Sequence, residues 1–294
     1  MAFRKSKYSV TKVNPKSFNL GQLPFLLAVL PIAAFMLLPL LYIFNHAFKP
    51  FDELLEYPPK FFVSRPTFNN FKELFKASST TAIPVTRYLF NSIVVTIVVV
   101  VLSIVLSSMA GFALSKLKFH VNKVISEINT IALMFVGVAV TIPKYMITEK
   151  LGLVDNFLVH IIPILAIPVG LFLIKQTIDD IPNELIEAAK MDGASNLRIY
   201  WSIILPMIKP AMATVAILAF QNVWNDASIS ATYLNDDTLK TFAYYVSTLS
   251  SASNATAGMG MSAAATLIMF LPNLIIFIVL QGKVMSTMAH SGIK

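Results

Sequence analysis

Six long stretches without a single Asp, Glu, Lys or Arg constrain this chain more than any other feature: Phe18 to Phe48, Tyr88 to Ser115, Ile128 to Pro143, Asn156 to Ile174, Pro210 to Asn225 and Thr241 to Gln281. A helix rises about 1.5 Å per residue, so roughly 20 mostly apolar residues cross about 30 Å of hydrocarbon. Each stretch therefore predicts one crossing. The third and fifth are short, and residues such as Lys144 and Asp226 complete their ends by reaching the interface or a wet cavity. Composition agrees: 56% of residues are apolar, 13% are charged and the mean hydropathy is +0.71, far from the balance of a water-soluble domain. The first run shows no small-residue cleavage pattern between Pro24 and Phe44, so it reads as a retained helix and not as a cleaved signal.

The expectation is an all-α polytopic membrane protein. Its predicted spans are 18–46, 88–115, 127–147, 155–174, 210–228 and 261–281, separated by an outer cap at 47–87, connections at 116–126 and 148–154, an inner loop at 175–209 and an outer segment at 229–260. Basic tails at 1–17 and 282–294 flank them. Lys and Arg beside a span favour the cytoplasmic side. With Arg4, Lys5, Lys7, Lys12 and Lys16 inside, six crossings also place Lys116, Lys118, Lys123, Lys175, Lys190, Arg198, Lys209, Lys283 and Lys294 inside, and both termini become cytoplasmic.

The net charge of +8 is thus a topology signal, scattered over several loops, and predicts no nucleic-acid partner. The chain has no cysteine, which removes disulfides and thiolate chemistry. His46, His120, His160 and His290 form no pair at metal-ligand spacing, so no metal site is predicted. His160, alone in mid-span, reads as a hydrogen-bonded packing residue. Ionisable side chains are missing from the span centres, where ion-coupled carriers usually hold or relay their driving ion. No G-x-x-x-x-G-K-[ST] loop is present to cradle ATP phosphates. Any energy for transport has to enter through another subunit.

Pro50, Pro58, Pro59, Pro66 and Pro84 make the outer cap turn-rich, with a short helix predicted at Asn69 to Phe75 behind an Asn cap. Its role, partner contact or passive connector, stays open. Ser107, Ser108, Ala110, Gly111 and Ala113, and again Gly258, Gly260 and Ser262 to Ala265, are small enough for close helix packing. Polar groups retained in or near spans mark candidates for a translocation path: Asn91, Asn129, Gln221, Asn222, Trp224, Asn225 and Asn273. Trp224, an aromatic beside amides, is the most attractive of them. Interhelical hydrogen bonding explains the same residues equally well.

The inner loop, KQTIDDIPNELIEAAKMDGASNLRIYWSIILPMIK, predicts a helix of about eleven residues capped by Asp180, started by Pro182 and ended by Gly193. Ile181, Leu185, Ala188 and Asp192 share one face, and Ser195 opens a second short helix ended by Pro206.

Within this loop Glu187, Ala188, Ala189, Gly193, Ile203, Leu205 and Pro206 match, at every position, the pattern E-A-A, three residues, Gly, nine residues, Ile, one residue, Leu, Pro. This resembles the coupling loop of ABC importer permeases. PPKFFVSRPTFNNFKELF, RYLFNSIVV, AGFALSKLKF, KLGLVDNFLVHIIP, DDIPNELIEAAKMDGAS and ILPMIKPAMATVAILAFQNVWND extend the likeness over nearly the whole chain, toward carbohydrate importers with a maltose-transporter-type second permease. The tail STMAHSGIK is similar to a variant that favours a Gram-positive source. The resemblance implies a type I importer permease fold in a bacterial cell membrane and a non-catalytic subunit. It further implies a second homologous permease, two ATPase subunits that hold ATP and Mg, and an extracytoplasmic solute-binding protein that delivers a sugar or oligosaccharide. Glu187, Ala188, Ala189, Asp192, Gly193, Ala194, Ile203, Leu205 and Pro206 would then meet the ATPase, and no cofactor is expected on this chain. An ion-coupled carrier and a membrane scaffold are the competing classes; the missing intramembrane carboxylates oppose the first and the complete loop motif the second.

Overall fold

The computed structural model describes residues 23–80, 83–252 and 256–291. The tail residues Arg4, Lys5, Lys7, Lys12, Lys16 and Lys294 lie outside them. Among the described residues the chain is helical, without strands. In order the helices are α1 (Leu23–Phe48), α2 (Phe51–Leu54), α3 (Asn69–Thr80), α4 (Val85–Lys116), α5 (Asn122–Ala132), α6 (Thr141–Lys150), α7 (Pro168–Asp179), α8 (Asn183–Met191), α9 (Asn196–Ile199), α10 (Leu205–Met207), α11 (Lys209–Trp224), α12 (Ser228–Tyr233), α13 (Phe242–Ala252) and α14 (Thr256–Ser291).

Among the described residues three helices are long and apolar enough by themselves to cross a membrane: α1, α4 and the part of α14 from Gly258 to Leu280. Three further apolar stretches are bent pairs, 122–132 with 137–150 at 113°, 157–164 with 168–179 at 41°, and 196–207 with 209–224 at 80°. The first two bends interrupt the predicted spans 127–147 and 155–174, whereas the third falls just ahead of the predicted span 210–228. At 133–136 the chain leaves the helix beside Gly137, where the β-branched Val136, Val138 and Val140 also favour helix poorly. Near 165–167, Pro168 forces Ile167 into extended backbone, φ −106° and ψ 97°. Pro210, in the first turn of α11, follows the turn at Ile208.

The bundle centres on α4, which packs against α7 and α11, while α14 packs against α1, α11, α13 and α3. Small residues permit the closest approaches. A Cβ on Gly111 of α4 would stand 2.8 Å from Ile174 Cγ2 and 3.3 Å from the Lys175 backbone nitrogen, so only glycine lets α7 lie this near. On α14, Gly260 gives the same room to the Asn70 amide.

The cap is held by buried polar groups. Asn70 donates to the Ala47 carbonyl at 3.0 Å and the Lys49 carbonyl at 2.8 Å, Lys49 Nζ donates to the Lys60 carbonyl, and Asn45 Oδ1 accepts from the Val63 amide at 3.1 Å. The Glu53 carboxylate accepts from the Ser64 and Arg65 amides at 3.0 and 2.9 Å. Those two amides, with the Arg65 guanidinium, hold its carboxyl below the ordinary value. The predicted short helix is present as α3, but Asn69 is its first residue and not its cap, and it continues to Thr80. His160 is buried and its Nε2 pairs with the Leu239 carbonyl at 3.1 Å, the packing role expected of it.

Candidate functional site

The inner loop is built as two short helices over an apolar floor. Asp180 does not open α8; it ends α7, its amide donating to the Gln176 and Ile178 carbonyls. Pro182 takes the N-cap position instead, and α8 is nine residues long. At its far end Gly193 adopts φ +80°, its amide bonds the Lys190 carbonyl at 3.0 Å, and the Ala194 amide bonds the Ala189 carbonyl at 2.9 Å. This paired closure uses the left-handed conformation that glycine tolerates best. Ser195 Oγ then accepts from the Arg198 amide at 3.3 Å and caps α9.

Pro206 does not end the second helix. Residues Tyr200–Ile204 form a π-turn, the Leu205 amide reaches back to the Tyr200 carbonyl, and α10 carries the chain past the proline to Met207. The floor consists of Ile178, Ile181, Ile186, Ile199, Tyr200, Ile204 and Ile208 with Phe112, and Ala189, Ala194, Ile203 and Leu205 pack onto its margin. The buried face of α8 is therefore Ile186 and Ala189, while Leu185 and Ala188, expected on the same face as Ile181, stand exposed. The Ile199 to Ile208 segment packs on the Ile186 side of α8, and that contact decides which face is buried.

Within the motif, Glu187, Ala188, Asp192, Gly193 and Pro206 are exposed, and Ala189, Ala194, Ile203 and Leu205 are half-buried. Beside them Leu185, Met191 and Leu197 are also exposed, Met191 at 89%. A cavity of about 240 Å³ opens between α8 and α9, lined by Ala189, Asp192, Ala194, Arg198, Ser202 and Ile203. The loop is fastened to the end of α4. Lys116 Nζ donates to the Ile181 carbonyl at 2.6 Å and to Asn183 Oδ1 at 2.9 Å, and Ser115 Oγ donates to Asp179 Oδ1 at 2.5 Å. Sequence reasoning missed Met191, Leu197, Lys116 and Tyr200. Their signal was weak: Met191, Leu197 and Tyr200 follow no spacing rule, and Lys116 is far away in sequence and reads there only as a topology signal.

Of the translocation candidates, the structure gathers four where the far end of α11 meets α14. Asn225 and Asn273 exchange amide hydrogen bonds at 3.3 and 3.1 Å, Asn225 also donates to the Gln221 carbonyl at 3.2 Å, and Trp224 Nε1 donates to the Met269 carbonyl at 2.9 Å. Gln221, Asn222 and Asn225 are exposed, whereas the Trp224 ring is buried and stacked on Phe220 at 5.7 Å. Asn91 and Asn129 lie elsewhere. Asn91 is buried and donates to the Thr238 and Lys240 carbonyls at 2.8 and 2.9 Å, and Asn129 donates to the Pro168 carbonyl at 3.2 Å. Among the described residues no group of His, Cys, Asp and Glu is arranged to hold a metal ion.

Residues 99–282 match the family described as binding-protein-dependent transport system inner membrane component. An arabinooligosaccharide transport system permease of Bacillus subtilis is 29% identical over 88% of this chain and 93% of its own length. An inner membrane ABC transporter permease of Escherichia coli is 27% identical over 88% and 91%. The Gram-positive source favoured by the tail finds no support, since relatives come from bacteria of both kinds. A solved bacterial ABC transporter involved in importing the acidic polysaccharide alginate shares the fold, with a TM-score of 0.74, 21% identity and coverage of 92% of this chain and 99% of that one. The match over most of the chain, the shared fold and the complete loop motif agree: the chain is a multi-pass membrane protein of the binding-protein-dependent transport system inner membrane component family, an ABC transporter permease.

Proposed function

We propose that this chain is one permease of an ATP-driven importer for a sugar or oligosaccharide, crossing the membrane six times with both termini in the cytoplasm. The observation that carries the reading is the loop face on which Glu187, Ala188, Leu185, Met191 and Leu197 stand exposed while the opposite face of α8 is set in the apolar floor. A mixed apolar and charged face on a rigid support is a surface to be covered. An ATPase subunit is the cover that the motif implies.

In that contact Glu187 accepts charge-assisted hydrogen bonds from a basic group of the ATPase, Ala188 lets the two backbones approach, and Gly193 sets the angle between α8 and α9. Two ATPase subunits hold ATP and Mg²⁺, and their closure displaces α8. The apolar floor passes that displacement to α4, α7 and α11, shifting the balance between inward-open and outward-open arrangements. This chain catalyses no reaction itself. A second, homologous permease completes the path. The exposed break at 133–136 favours such a neighbour, because irregular backbone at membrane depth is stable only where protein or water covers it.

An extracytoplasmic solute-binding protein delivers the solute. The carbohydrate class draws support from relatives named for arabinooligosaccharides and from the neighbour that imports alginate. Gln221, Asn222, Asn225 and Asn273 are the groups we assign to the path, and Asn225 and Asn273 can exchange their mutual amide bonds for sugar hydroxyls. Trp224 shapes the wall, and Asn91 and Asn129 serve packing. The test is Glu187→Lys in the reconstituted complex of both permeases, the ATPases and the binding protein. Uptake and binding-protein-stimulated ATP hydrolysis are expected to be lost; full stimulated hydrolysis overturns the reading.

A further inference from the structure

Tyr200 is buried, at 3% exposure, and its hydroxyl lies 2.7 Å from Ser108 Oγ of α4, itself fully buried. The Tyr200 ring also meets Phe112 at 5.8 Å between centroids. Ser108 Oγ also donates to the Val105 carbonyl at 3.1 Å, which leaves it to accept from the Tyr200 hydroxyl; such a buried bond contributes little net stability, since both groups give up water to make it. Their bond has one geometry, however, whereas apolar contacts at the same place tolerate sliding.

Two further observations give that geometry a use. Tyr200 opens the π-turn, an irregularity that recurs at functional positions in helices, and the chain bends by 80° beyond it, at Ile208. The loop is also held at a second point, where Lys116 binds the Ile181 carbonyl and Asn183 Oδ1 at the start of α8. Ser108 and Lys116 are eight residues apart on one helix, about 12 Å at 1.5 Å per residue. One tie permits rotation about itself; two ties at this separation make the loop and α4 turn together.

At its other end α4 is fastened just as closely. Asn91 bonds the Thr238 and Lys240 carbonyls, and Ser92 Oγ accepts from the Phe242 amide at 2.8 Å. α4 is one uninterrupted helix of 32 residues, and about 38 Å of it separates Asn91 from Lys116. We propose that the Tyr200–Ser108 hydroxyl pair is a positioning contact that locks the exit limb of the loop to α4, so that displacement of α8 is delivered along α4 to the segment 238–242. The proposal rests on the reading that α8 meets an ATPase.

The chain lacks cysteine, so spin labels can be set at Met207→Cys beyond the π-turn and at Leu106→Cys on α4, both exposed residues. The distance between them is measured in the complete transporter, nucleotide-free and trapped with ATP, Mg²⁺ and vanadate. With Tyr200 and Ser108 intact the distance is expected to stay the same in both states, because loop and helix move as one body. In Tyr200→Phe and in Ser108→Ala a displaced, broader distribution is expected on trapping, no larger in the double variant than in either single one, with ATP hydrolysis retained within about twofold. An unchanged distance in the variants, a shift already present without them, an additive double variant, or loss of assembly in both single variants overturns the tie. Ser108→Ala removes only one oxygen and serves if Tyr200→Phe assembles poorly. Glu187→Lys separates the two ideas: if it leaves ATPase attachment and hydrolysis normal, the reading of α8 fails, whereas if it abolishes them while Tyr200→Phe behaves like the parent, only the tie fails.

Discussion

The outer cap and the inner loop are both short helices mounted on membrane helices, yet they use their polar residues in opposite ways. In the cap Asn45, Lys49, Glu53 and Asn70 are buried and bonded to backbone groups of the chain itself. In the loop Glu187, Lys190 and Asp192 point outward, and isoleucines supply the floor. A turn-rich segment has few helical hydrogen bonds, so buried side chains must satisfy its amides and carbonyls. A segment made of helices satisfies its own backbone and leaves its charges free for another molecule. The cap therefore secures its own irregular backbone with buried polar side chains, whereas the loop holds its charges outward; both also expose large apolar side chains, Tyr57, Phe62 and Phe68 in the cap and Met191 and Leu197 in the loop.

The sharpest way to break this contrast is Glu187→Lys, which is expected to abolish ATPase coupling while leaving the cap resistant to proteolysis; a variant that unfolds the cap as well would show that the two regions are not separable. Next in size is Ile199→Ala. This residue is 1% exposed in the floor, and its truncation is expected to cost about 2–5 kcal/mol, read as a lower melting temperature with early proteolysis of the loop. On the cap side, Asn70→Ala leaves the Ala47 and Lys49 carbonyls without their donor, a loss of about 1–3 kcal/mol that limited proteolysis at 55–68 will register. Gly193→Ala meets no steric obstacle within 4 Å, so only its left-handed backbone resists. The expected cost is about 1–2 kcal/mol, with weaker ATPase attachment and an unaltered cap.

The smallest effect is acid sensitivity of the cap. Glu53 titrates lower in the folded protein than its ordinary 4.5, so its contribution is complete above that value and is lost as pH falls through the lowered folded value. Proteolysis of the cap against pH should rise on that acid limb. Glu53→Gln should flatten it, and an unaltered limb in this variant assigns the acid response elsewhere.

Particular residues show how much could be read in advance. Gly193 as a helix end and Ser195 as a helix start were legible, because each acts through its own backbone within a few residues. The burial of Ile186 in place of Leu185 and Ala188 was not, since helical periodicity leaves the register open until a second element packs on it. Nor was the pairing of Asn225 with Asn273, which are 48 positions apart, or the bend at 133–136, where weak local preferences leave the turn to packing.

The sequence by itself determined the membrane-protein class, through charge-free runs that no aqueous core can hide, and the family, through seven residues at fixed spacing. Only the tertiary structure decided which of those residues face outward, and that Tyr200, Ser108 and Lys116 meet across the loop and α4. Burial against lipid and a local cap are properties of a segment; a hydrogen bond between residues 92 positions apart exists only once the intervening helices have chosen how to pack.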